Sequence, residues 1–200
     1  MAIKIFFVGL AYAIGAVPFG YVLTKRFSDA DIRTGGSGNV GATNVSRVAG
    51  KKLGLITLIC DVLKGAVPVF LAGAMGAGNP GGADTLMAFA ALAAFLGHLY
   101  PIYSGFKGGG KGVATACGGF LVAAPLACLA AIGVFAGGVV LSRRVSAGSL
   151  LGALSLPVGV WGIYGSDPLF AASAIVALLV IVRHRTNIQR LLSGNEPPFF

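Results

Sequence analysis

Three short stretches of this chain combine residue types that can hold an oxyanion. The first, residues 34–47, reads Thr34-Gly35-Gly36-Ser37-Gly38-Asn39-Val40-Gly41-Ala42-Thr43-Asn44-Val45-Ser46-Arg47. Glycines let backbone N–H groups converge on an anion, Ser37, Asn39, Thr43 and Asn44 add neutral donors, and Arg47 adds a fork suited to phosphate. The second, residues 105–115, carries Lys107, Gly108, Gly109, Gly110, Lys111 and Gly112 just ahead of an apolar run. Consecutive glycines, two ammonium groups and a helix start favour an anion-binding nest there. The third, residues 183–196, holds His184, Arg185, Asn187 and Glu196. In a continuous helix His184 and Asn187 share a face and can address one substrate group together. Glu196 precedes Pro197 and Pro198 and is expected to anchor the tail through a basic partner.

Familiar alternatives fail on context. Gly36, Gly38 and Gly41 satisfy the formal G-x-G-x-x-G pattern, but a dinucleotide fingerprint needs a preceding strand, and an apolar helix precedes here. Gly105, Gly110 and Lys111 occupy P-loop positions, yet Gly112 stands where Ser or Thr would hold magnesium. The bland readings are a flexible linker for the first stretch, a topological basic loop for the second and an interfacial histidine for the third. His98, beside Tyr100 and Pro101, has no polar partner in the sequence and reads as interfacial or structural. Cys60, Cys117 and Cys128 lie inside apolar runs without metal-ligand spacing and read as packing residues.

The elements that position these stretches are membrane spans. Hydrophobic residues make up 56% of the chain and charged residues 10%, so lipid must be the solvent for most of it. Apolar runs able to cross a roughly 30 Å hydrocarbon layer occur at 3–24, 53–75, 84–103, 112–141, 148–164 and 168–183. The first is long for a signal-peptide core and lacks a small-residue cleavage site, so it is expected to remain as a span. The net charge of +9 sits in clusters between the runs, the pattern of cytoplasmic loops rather than of a nucleic-acid binder. If 112–141 turns near Pro125 and crosses twice, every basic cluster is cytoplasmic and Asp84 and Asp167 mark outer turns. The expected fold is therefore all-α: one domain over residues 1–200, a polytopic bundle of seven transmembrane helices, N-terminus outside and C-terminus cytoplasmic. Asp61 and Lys64, three apart in the second run, are expected to pair near its cytoplasmic end. No heptad seam points to a dimer, so a monomer is expected.

Two phosphate-type loops and a histidine suit a reaction between anionic substrates at a membrane surface, with a lipid among the substrates or products. The His-then-Asp pattern of acyl-CoA-type acyltransferases is absent, because Tyr103 follows His98 and Gln189 follows His184 at that spacing. Residues 37–47, 108–115 and 184–196, in this order between apolar runs, resemble the three motifs of the membrane-bound bacterial acyl-phosphate:glycerol-3-phosphate acyltransferase family. The resemblance covers essentially the whole chain and shows no departure at the motif positions. It implies acyl transfer from acyl phosphate to the 1-hydroxyl of glycerol 3-phosphate, giving lysophosphatidic acid and inorganic phosphate, at the cytoplasmic face of the inner membrane. No CoA, carrier protein, metal or other cofactor is implied.

By this resemblance Ser37, Lys111, His184 and Asn187 are the catalytic candidates. Asn39, Gly41, Thr43, Arg47, Lys107, Gly108, Gly109, Gly110, Gly112 and Arg185 are substrate-binding candidates, and Glu196 is structural. Arg47 and Lys111 would hold phosphates, Ser37 would orient the acyl phosphate, and His184 with Asn187 would position the glycerol hydroxyl. The donor already carries a good leaving group, so direct attack is expected over an acyl-Ser37 intermediate. A transporter of a phosphorylated solute, the alternative class, would place its polar segments near the bilayer midplane instead of at one face.

Overall fold

Inside a hydrocarbon layer each backbone N–H and C=O must be bonded within the chain, which selects helix for runs of this composition. In the computed structural model, which describes residues 2–77 and 81–199, every regular element among the described residues is helical. The chain divides into two compact units, Met1–Gly119 and Phe120–Phe200.

The first unit begins with α1 (Ala2–Gly15) and α2 (Phe19–Phe27), one apolar run interrupted at residues 16–18. Pro18 lacks an N–H and its ring bars a continuous helix. Then follow α3 (Ala42–Ala49), α4 (Lys51–Gly76), α5 (Gly82–Leu99) and a 3-10 turn (Ile102–Ser104). The helix α6 (Val113–Ala123) starts in this unit and runs across its boundary. Small residues let these backbones approach closely where lipid supplies no hydrophobic drive for association. A Cβ on Gly15 would strike the Ala94 carbonyl and one on Gly97 the Tyr12 carbonyl, so α1 lies directly on α5. Gly65 and Gly118 play the same part for α4 and α6, against the carbonyls of Thr115 and Val62.

The second unit contains α7 (Pro125–Ser142), α8 (Val145–Tyr164), α9 (Asp167–Arg183) and α10 (Arg185–Leu192). The helices α7 and α8 form a hairpin whose corner places Arg143 in the left-handed region, with φ 58°. The apolar run 112–141 is thus divided at Ala124, with Pro125 opening α7 at a position where its missing N–H leaves no bond unmade. Asp84 and Asp167 lie in the first turns of α5 and α9, where a carboxylate complements the helix dipole.

Among the described residues five helical segments are long and apolar enough to cross a membrane, or six if α9 and α10, bent by 60°, count as one. The seventh expected span would have to be α6, whose 11 residues extend only about 16 Å at the helical rise. Part of the turn expected at 76–83 lies outside the described residues.

Close packing predicts a contrast between two Gly→Ala changes. Gly97→Ala pushes α1 and α5 apart and should cost about 1–3 kcal/mol. Gly133→Ala in α7, with open space around it, should be neutral or stabilising by up to about 1 kcal/mol. Melting temperatures of the two variants in detergent check this.

Candidate active site

Residues 28–41 form a loop wound around Asn44 near the start of α3. Asn44 is buried; its Nδ2 donates to the carbonyls of Ile32 (3.1 Å) and Gly35 (3.2 Å), and its Oδ1 accepts from the Ser37 N–H (2.9 Å). Gly36, with φ 60°, passes so close that a Cβ would strike this oxygen. The expectation that Asn44 donates to a substrate is therefore corrected, because its donors and acceptor are engaged in shaping the loop. Asn39 folds back to accept the Gly41 N–H at 2.8 Å, just where α3 begins, which leaves its Nδ2 group as donor. Ser37 and Arg47 are exposed, while Asn39, Gly41 and Thr43 are half-buried.

The second segment is a loop of left-handed residues, Gly105, Phe106, Gly108 and Gly112, with φ between 62° and 80°. The Phe106 N–H donates to the Pro101 carbonyl at 3.0 Å, which offsets part of the cost of that conformation for a residue with a side chain. The loop lies against the end of α5: a Cβ on Gly109 would meet the Leu99 carbonyl, on Gly110 the His98 imidazole, and on Gly112 the Phe95 ring. Sequence reasoning makes these glycines donors in an anion nest. The structure gives them a packing reason, and the Gly110 N–H is engaged by the His98 carbonyl at 3.2 Å. Lys107 and Gly108 are exposed, and Lys111 is half-buried directly before α6.

Asp61 and Lys64 pair at 2.7 Å inside α4. Of the two readings expected for His98 the structural one holds: it is buried, with Nδ1 3.8 Å from Asp61 Oδ1. No sequence signal joins His98 to residues 34 and more positions away; only the packing of α4 on α5 does so. Among the described residues no three His, Cys, Asp or Glu side chains gather as metal ligands.

The third segment belongs to the second unit, where the helix does not continue straight past His184. His184 closes α9 and caps α10 at a bend of 60°, its carbonyl accepting the Ile188 N–H at 2.8 Å, so that His184 and Asn187 stand in the first turn of α10. Both are buried. His184 Nδ1 lies 2.8 Å from the Val180 carbonyl. A carbonyl can only accept, which places the proton on Nδ1 and makes Nε2 the acceptor nitrogen of the neutral ring. Asn187 Nδ2 donates to Glu196 Oε1 at 2.6 Å, as does the Ser146 hydroxyl at 2.6 Å, and Arg190 Nε donates to Glu196 Oε2 at 2.7 Å. Arg144 Nε reaches the Glu196 carbonyl at 2.9 Å, and the Phe199 N–H reaches the Arg143 carbonyl at 2.8 Å, so the tail is strapped to the α7–α8 corner. Ser146 and Arg144 were not foreseen, since nothing local marks a residue 50 positions away as a partner. Arg185 is exposed.

Burial works to raise the Glu196 pKa, but the hydrogen bonds from Ser146, Arg190 and Asn187 and the charge of Arg190 outweigh it and hold the carboxyl below its ordinary value. Its stabilising contribution is thus complete above the ordinary glutamate pKa and lost as pH falls through the depressed one. Glu196→Gln should cost about 1.5–3 kcal/mol at neutral pH, and its gap in melting temperature from wild type should close on acidification. Asn44→Ala should cost about 1–3 kcal/mol by leaving buried backbone groups unpaired and should speed hydrogen exchange across residues 32–41 before the helices open.

The model of the family described as glycerol-3-phosphate acyltransferase matches residues 5–194. The glycerol-3-phosphate acyltransferase of Syntrophotalea carbinolica is 53% identical over 94% of this chain and 94% of its own. That of Geobacter sulfurreducens is 46% identical over 95% of this chain and 94% of its own. Among solved structures, the glycerol 3-phosphate form of PlsY (YgiH), an integral membrane glycerol 3-phosphate acyltransferase, superposes with a TM-score of 0.91 at 38% identity, covering 98% of this chain and 96% of that one. The lysophosphatidic acid form of PlsY gives 0.87 at 36% identity, covering 98% of this chain and 94% of that one. An all-helical membrane chain matched along nearly its whole length by these sequences and structures belongs to the glycerol-3-phosphate acyltransferase family.

Proposed function

We propose that this acyltransferase takes its fatty acyl group from acyl phosphate and delivers it to the 1-hydroxyl of sn-glycerol 3-phosphate, releasing lysophosphatidic acid and inorganic phosphate. The observation that carries the reading is the likeness to a solved acyltransferase in glycerol 3-phosphate and lysophosphatidic acid forms, acceptor and product of this reaction, over 98% of the chain. The donor rests on the three motifs and on the absence of the His-then-Asp acyl-CoA pattern. The basic clusters support a bacterial inner-membrane bundle of seven spans forming one acyltransferase domain, N-terminus outside, with its site on the cytoplasmic side.

The chemistry needs little beyond positioning. The glycerol hydroxyl oxygen attacks the acyl carbonyl carbon, the bond from that carbon to the phosphate oxygen breaks, and the electron pair leaves on phosphate. Arg47 and Lys111 hold phosphate groups, with Lys107, Asn39 and Thr43 as further donors around the two loops. Ser37 orients the acyl phosphate. His184, as the Nδ1–H tautomer, offers Nε2 to the hydroxyl proton, and Asn187, steadied by Glu196, aligns the same hydroxyl.

Purified chain supplied with palmitoyl phosphate and glycerol 3-phosphate, without CoA or added metal, should release phosphate and lysophosphatidic acid in equal amounts. Lys111→Ala and His184→Ala should each lower kcat/KM by about a hundredfold or more. Folded protein that makes no product with any acyl phosphate overturns the donor assignment.

A further inference from the structure

The first unit contains a buried charged cluster that the reaction just described does not use. Asp61, Lys64 and His98 are 2%, 4% and 6% exposed, inside helices that pack within an apolar unit. An ion pair withdrawn from water contributes little net stability, because desolvation offsets most of the attraction. Its contacts show what else it does. Lys64 Nζ pairs with Asp61 Oδ1 at 2.7 Å and donates to the Val17 carbonyl at 2.8 Å, at the break beside Pro18 where that carbonyl also accepts the Phe19 N–H. That break fixes where α2 starts, and α2 in turn supports the first loop: a Cβ on Gly20 would strike the Val40 carbonyl, one residue before Gly41. The same Asp61 Oδ1 stands 3.8 Å from His98 Nδ1, and the far edge of the His98 ring lies against Gly110, the residue before Lys111. Val17, Val40, Asp61, Lys64, His98 and Gly109 line one narrow pocket.

We propose that Asp61, Lys64 and His98 are positioning residues, a buried strut that sets the spacing between the Ser37–Gly41 loop and the Gly108–Lys111 loop so that both reach a phosphate-bearing substrate together. The 3.8 Å gap between the imidazole and the carboxylate is beyond direct hydrogen bonding and suits electrostatic orientation, with the ring as the spacer beneath Gly110. None of the three touches substrate; each acts through the backbone it holds. Loosening the strut therefore weakens capture of phosphate-bearing substrates more than it slows the chemical step, because a displacement on the order of 1 Å suffices to spoil alignment.

The inference deepens the reaction proposed above and rests on it, so the test reads both activity and loop order. Asp61→Leu/Lys64→Met replaces the pair with apolar side chains and is expected to keep the wild-type melting temperature. It should raise KM for palmitoyl phosphate or glycerol 3-phosphate at least tenfold with a smaller fall in kcat, and should speed hydrogen exchange at residues 107–112 at least tenfold while exchange elsewhere in α4 and α5 is unchanged. His98→Ala, which leaves the ion pair intact, should do the same, and His98→Asn, which restores a polar group towards Asp61, should recover part of the loss. The His98 variants decide the matter if the double variant does not fold. Wild-type KM and wild-type exchange at 107–112 in folded variants would overturn the strut, as would a loss confined to melting temperature. A wild type without acyl-phosphate activity defeats the reaction instead, and the exchange data then still decide the strut.

Discussion

Carbonyls at a helix break inside an apolar bundle have no water to turn to, and the Val17 carbonyl accepts both the Phe19 N–H, at 3.0 Å, and Lys64 Nζ, at 2.8 Å. That contact bears on where the first loop sits more than on how stable the helices are. Pro18 makes the break, the break redirects α2, and α2 carries the chain out into the loop that holds Ser37 and Asn39. An ammonium group brought inside to meet the carbonyl then needs a carboxylate of its own, which Asp61 supplies from one turn away on the same helix. The Val17 carbonyl, which also accepts the Phe19 N–H, thus gives the two buried charges a backbone contact in a span that is otherwise apolar.

The same demand recurs wherever the backbone leaves the helix. The first loop is closed from within by the Asn44 amide, the second by glycines that allow it to lie against the end of α5, and the tail by the Glu196 carboxylate. In each case one group that is not itself placed to react organises several backbone or side-chain partners. Ser37 and Lys111 sit on loops organised from within in this way, while Arg47 stands in the last turn of α3. Helix packing follows a parallel rule, since Gly15, Gly97, Gly65 and Gly118 let backbones approach where hydrophobicity cannot drive association.

Long apolar runs were readable as membrane helices because a 1.5 Å rise and a hydrocarbon layer of known thickness leave few alternatives. The divide near Pro125 was readable for the same kind of reason, a missing N–H and a ring that clashes with the preceding turn. Polar residues standing together in an apolar chain marked the three segments, and Asp61 and Lys64 were recognisable as a pair from helical spacing alone. All these depend on neighbours in sequence. Whether α6 spans, and how α9 bends at His184, depend on what the chain packs against, so composition could not decide them.

The division of labour among polar residues was equally hidden. Asn39 and Asn44 are alike in type and lie five positions apart, yet one leaves its amide donors available and the other is wholly engaged beneath the loop. The glycines of the second segment read as donors to an anion, and nothing in the sequence shows that Gly109 and Gly110 also lie against Leu99 and His98. Sequence by itself determined the helical membrane class, the family motifs and the residue types able to hold phosphate, because these follow from local chemistry and spacing. Only the tertiary structure decided that His98 meets Asp61, that Ser146 meets Glu196 and which amide shapes a loop, because those contacts join residues far apart in the chain and cost or gain energy only once the helices are packed.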